Sequence, residues 1–122
     1  IGFGAKNTDA NIINKGVITV TSAAALSRSG AVGITGGGKY LILDNRGTVS
    51  GTALEGSQAI GIEAFGAWSN GTVSINNSGT ITVSGKAAAN TFGMVAGTSK
   101  LTTSAQVVNS GTVELEGGTD LS

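Results

Sequence analysis

A short corner motif returns through this chain at an almost fixed interval. Four segments share it: NKGVITV from Asn14, NRGTVSG from Asn45, NSGTITVSG from Asn77 and NSGTVELEG from Asn109. Their starts are 31, 32 and 32 residues apart. Two further series run at a similar interval. IGFGA, VGITG, IGIEA and FGMVA begin at Ile1, Val32, Ile60 and Phe92, while ANIIN, LILDN, VSINN and AQVVN each end on one of the four Asn residues. Three interleaved series in one register restrict the chain to a repeat architecture, in which each unit buries its apolar face against its neighbours.

Each series alternates apolar with polar or small residues, which is the period of a β-strand. Before the Asn, one parity reads Ala10 and Ile12, Leu41 and Leu43, Val73 and Ile75, Ala105 and Val107. After the glycine it reads Ile18 and Val20, Val49 and Gly51, Ile81 and Val83, Val113 and Leu115. In the remaining series it reads Ile1 and Phe3, Val32 and Ile34, Ile60 and Ile62, Phe92 and Met94. These apolar residues are the expected core, and the intervening Thr19, Ser50, Thr82 and Glu114 are the expected outer face. Helix propensity is confined to Ala23–Leu26 and Ala87–Ala89, runs too short to stand alone. Three short strands per ~32-residue unit without helices predict an all-β, right-handed parallel β-helix of about four coils. At ~4.8 Å per coil the stack would be only ~19 Å tall, so residues 1–122 read as a single β-helix segment of something longer.

The Asn column is in phase with the buried residues two positions earlier. Asn14, Asn45, Asn77 and Asn109 are therefore expected to face inward and form an amide ladder at a corner, since an amide both donates and accepts. Gly16, Gly47, Gly79 and Gly111 follow two residues later and are expected to supply the left-handed backbone of a tight bend.

GITGGGKY, from Gly33 to Tyr40, resembles a phosphate-binding loop until Tyr40 replaces the Ser or Thr. Such a loop must open a helix whose N-terminus meets the phosphates. Here YLILDN follows, a strand, so the stretch is a corner. Seven basic and seven acidic residues give zero net charge, which offers nucleic acid no electrostatic footprint. No apolar run reaches the ~18 residues of a membrane span.

The chain has no His and no Cys, which removes the usual catalytic triads, disulfides and most zinc sites. Its acids are Asp9, Asp44, Glu55, Glu63, Glu114, Glu116 and Asp120. Only Glu114 and Glu116 share an outward face, with Asp120 nearby, so these three are the one weak candidate for a metal site. No catalytic residue and no cofactor are expected. Outward Thr columns could order water, but Val17, Glu114 and Glu116 interrupt them. Sequons occur at Asn70 and Asn76. Phe65, Trp68 and Tyr40 fall in or beside the corner after the second strand, where aromatic rings serve either a ligand or an apolar end.

Repeats of the form N-x-G-T-[IV]-x-[VL]-x-G, alternating with stretches such as AIGIEAFG, resemble the β-helical passenger domains of Gram-negative autotransporters. NSGTITVSG and NSGTVELEG carry that resemblance most closely. It implies an extracellular or cell-surface segment of a longer passenger, exported by type V secretion across the outer membrane, without a serine-protease motif or translocating barrel of its own. The implied function is a stalk or adhesive surface, not an enzyme. Its partners would be a host or bacterial surface receptor, or another copy stacked end to end. The alternative is a fragment of a carbohydrate-active β-helix enzyme, a lyase or hydrolase, which would need a carboxylate cluster in a groove.

Overall fold

Each Asn-x-Gly motif joins two six-residue strands through a two-residue bend, because β-branched residues flank a bend that carries no apolar side chain. The computed structural model of the chain describes residues 2–4, 9–22, 31–54, 58–66, 70–85, 91–98 and 104–117. Ala23–Leu26 and Ala87–Ala89 lie outside them, and no described residue is helical. Twelve strands follow in order: β1 Gly2–Gly4, β2 Asp9–Asn14, β3 Val17–Ser22, β4 Ala31–Gly37, β5 Tyr40–Asn45, β6 Thr48–Ala53, β7 Ala59–Gly66, β8 Thr72–Asn77, β9 Thr80–Gly85, β10 Thr91–Thr98, β11 Ser104–Asn109 and β12 Thr112–Gly117.

They form three four-stranded sheets, in the orders β1-β4-β7-β10, β2-β5-β8-β11 and β3-β6-β9-β12, and every pairing is parallel. Each strand thus pairs with the strand one repeat away, and the chain is a parallel β-helix. The ladder continues through the bends. Arg46 N donates to Asn14 O, Ser78 N to Asn45 O and Ser110 N to Asn77 O, each at 2.8 Å.

The inner space is filled from two sides. Leu41, Leu43, Val73 and Ile75 project from β5 and β8, and Val49, Ile81 and Val83 from β6 and β9, all essentially sealed from solvent. The third sheet leaves them room by presenting small residues. A Cβ on Gly33 would overlap Val49, one on Gly61 would overlap Ile81, and one on Gly36 would stand 3.3 Å from Leu41. Ala53, Ala59 and Ala64 complete this core, and the sequence reading omitted all three.

That third sheet also breaks the expected alternation. Gly33 and Gly61 are skipped in the β4–β7 register, where Val32 pairs with Ile60 and Ile34 with Ile62. Gly33 and Ile34 both face the core, so the parity changes at this step, as it does in a bulge. Val32, Ile60 and Phe92, expected inward with Ile34, Ile62 and Met94, therefore form a separate column outside the core. Phe92 is 39% exposed, Val32 is half-buried, and Ile60 is buried without belonging to the core cluster.

A second group of expected core residues points inward yet remains partly wet. Ile12, Ile18, Val20, Met94 and Val113 are half-buried, while Val107 and Leu115 are 45% and 52% exposed. All of them belong to the first or the last described coil, where only one face of the rung is covered by another. For Ile1 and Phe3 the side chains lie outside what the structure describes.

Candidate functional surface

The Asn corner is a continuous amide chain. Asn14 Nδ2 donates to Asn45 Oδ1 at 2.8 Å, Asn45 Nδ2 to Asn77 Oδ1 at 2.7 Å, and Asn77 Nδ2 to Asn109 Oδ1 at 2.8 Å. The second hydrogen of each inner amide faces backbone carbonyls: Gly47 O and Thr80 O for Asn45, and Gly79 O and Thr112 O for Asn77. Asn45 and Asn77 are buried with all their polar atoms satisfied. The ladder is therefore a structural spine, with its groups spent on one another.

The glycines that follow do not adopt the left-handed backbone expected of them. Their role is close approach between coils. A Cβ at Gly79 would overlap the carbonyl oxygen of Gly47, and Gly47 and Gly111 stand against the rung before them in the same way. At Gly16 the nearest atom is Asn14 Oδ1 at 4.0 Å. Left-handed geometry occurs instead at Asn70, with φ 59°, a residue type that tolerates it.

The remaining candidates separate from one another. GITGGGKY lies in β4, in a bend at Gly38 and Lys39, and in the first residue of β5. Lys39 Nζ sits 5.4 Å from the Tyr40 ring centroid, so the cation leans on an aromatic face. Glu114 and Glu116 are exposed on β12, and Asp120 lies outside the described residues, as do Glu55 and Trp68. Among the described residues no group of three potential metal ligands comes together. Asp44 is held by Arg46, whose Nε and terminal nitrogen reach its Oδ2 at 2.8 and 2.6 Å. Glu63 accepts from Thr35 Oγ1 at 3.3 Å.

The outer face of β3-β6-β9-β12 is mostly Thr and Ser in regular columns, interrupted by Val17, Glu114 and Glu116. Val17, Thr48, Thr80 and Thr112 align in one column, Thr19, Ser50, Thr82 and Glu114 in the next, and Thr21, Thr52, Ser84 and Glu116 in a third. The outer face of β2-β5-β8-β11 is different. It carries a groove of about 490 Å³ lined by Asp9, Ala10, Asn11, Tyr40, Leu41, Ile42, Thr72, Ser74 and Gln106. Register explains how they meet: Asp9, Tyr40, Thr72 and Ser104 share one outward column, and Asn11, Ile42, Ser74 and Gln106 the next. Tyr40 and Ile42 are each 43% exposed. Tyr40, expected beside a corner, thus belongs to a groove that the repeat pattern does not announce. Its signal was the run Tyr40-Leu41-Ile42-Leu43, which is apolar at both parities and so must put two large apolar groups outside.

No protein-family model, no curated protein and no solved structure matches this chain. No described helix is long and apolar enough to cross a membrane.

Proposed function

We propose that the chain is a stalk and adhesive surface segment of a bacterial cell-surface or secreted protein, belonging to an autotransporter passenger. The observation that carries this reading is the parallel pairing of three four-stranded sheets around one buried amide spine. Such a stack is stiff, because every inner strand is bonded on both edges, and it holds its outward side chains at fixed spacing. That architecture serves display. Among the described residues no three carboxylates come together, and the groove contains a single one, Asp9. Self-association would use the outer coils, where Val107 and Leu115 offer apolar surface beside strands paired on one edge.

The test is attachment. Beads coated with the folded chain are expected to adhere to bacterial or host cells, or to one another, and beads coated with heat-unfolded chain to remain dispersed. Dispersed beads in both cases, together with release of reducing sugars from a polysaccharide by the free chain, would replace this reading with a glycan-cleaving one.

A further inference from the structure

The groove on the β2-β5-β8-β11 sheet differs from the hydroxyl array beside it in having an apolar centre with polar groups on both sides. Tyr40 and Ile42 stand next to each other on one rung. Asn11 flanks them on the preceding rung, while Thr72, Ser74 and Gln106 flank them on the two that follow. We propose that this groove binds a neutral oligosaccharide, laid along the stack with the C–H face of one sugar on the Tyr40 ring and Ile42. The proposal names a ligand class for the adhesive surface above and rests on that reading only for its biological setting.

Size fits first. A volume of about 490 Å³ falls within the ~300–1,000 Å³ typical of small-ligand sites. The four rungs span roughly 14 Å at the usual strand spacing, a length that a single sugar would leave partly empty and a short chain of sugars would fill. Chemistry fits next. Amides and hydroxyls can each donate and accept, as a ligand dense in hydroxyl groups requires. An exposed ring flanked by an aliphatic side chain suits the apolar face of a pyranose. Lys39, with its ammonium 5.4 Å from the ring centroid, steadies Tyr40 and occupies one of its sides.

Other occupants fit less well. An extended peptide is captured by the free backbone groups of a sheet edge, but β5 and β8 are paired on both edges, so this face offers side chains alone. An acidic polymer would meet the Asp9 carboxylate as well as the Lys39 ammonium beside Tyr40, so the groove offers it no net positive charge. Because the rungs are fixed by their backbone ladder, binding orders little of the protein, which favours a weakly held ligand such as a sugar.

Titration calorimetry on the whole chain tests this, with neutral gluco-, galacto- and N-acetylglucosamine oligosaccharides of graded length as probes. One neutral series is expected to bind saturably and more tightly as it lengthens toward the span of the groove. Tyr40→Ala should weaken it by about tenfold, and Gln106→Ala less. Both side chains are exposed, so the circular dichroism and melting of these variants should match the parent. Thr82→Ala, on the other sheet, should leave binding unchanged. Absence of saturable binding across the panel would overturn the proposal. So would equal binding by Tyr40→Ala, or a preference for oligogalacturonate or an extended peptide. If beads fail to attach while sugars bind, the adhesive reading falls and the groove stands; if beads attach and no sugar binds, the groove falls alone.

Discussion

The two middle coils and the two outer ones are built from the same residue pattern, yet the same column behaves differently in each. Ile75 is 0% exposed, while Val107, its partner one rung away, is 45% exposed. Val83 and Leu115 repeat the contrast in the neighbouring sheet. In a globular core a residue is buried by elements from every side. In this stack it is buried mainly by the rungs before and after it, so direction is set by parity and burial by position along the axis.

The largest expected effect breaks that contrast at the core. Ile75→Ala should destabilise the fold by about 2–5 kcal/mol, the cost of a cavity among neighbours that cannot collapse. Val107→Ala, in the same column, should change it by no more than about 0.5 kcal/mol. Urea denaturation measures both, and equal losses would mean that the outer coil is sealed in solution by something further.

The amide spine should divide in the same way, at smaller magnitude. Asn77→Leu removes the acceptor of Asn45 Nδ2 and the donor to Asn109 Oδ1, leaving polar groups unpaired at about 1–3 kcal/mol each. Asn109→Leu should cost less. Its own Nδ2 is bonded to Gly111 O in an exposed position, and Asn77 Nδ2 would keep its carbonyl partners. Thermal melts of the two variants measured side by side should show the larger loss for Asn77→Leu.

Glycine gives the smallest of the three contrasts. Gly79→Ala forces a methyl group onto the Gly47 carbonyl and should cost about 1–3 kcal/mol through backbone shifts. Gly16→Ala has open space and should be nearly neutral. If both were equally harmful, the glycines would be serving bend geometry and not the spacing of coils.

Much of the fold was legible because stacking writes itself into the sequence. The 31- and 32-residue spacing of Asn14, Asn45, Asn77 and Asn109 is the register found between β2, β5, β8 and β11. Strict alternation located the inner faces of those strands and of β3, β6, β9 and β12. It failed in the third sheet, since a period-two reading cannot see two successive inward residues at Gly33 and Ile34. The glycine itself was the only mark of that step. Equally hidden was the reason for Gly47 and Gly79, because a clash with another coil is a long-range fact. The groove is not legible in the same way: Tyr40 and Ile42 share an outward parity, but Asn11, Ser74 and Gln106 join Ile42 only through register. Nothing in a local window links residues that a coil separates by about thirty positions.

Side-chain amide exchange followed by NMR shows whether the Asn corner is an inward, continuously bonded spine. The Nδ2 hydrogens of Asn45 and Asn77 should be strongly protected, because each amide is buried and held by a neighbouring amide oxygen at 2.7 and 2.8 Å. Those of exposed Asn11 should exchange at the rate of a free amide. Free-amide exchange at Asn45 and Asn77, in a chain whose backbone amides are protected, would show that these side chains face water and that the spine does not exist.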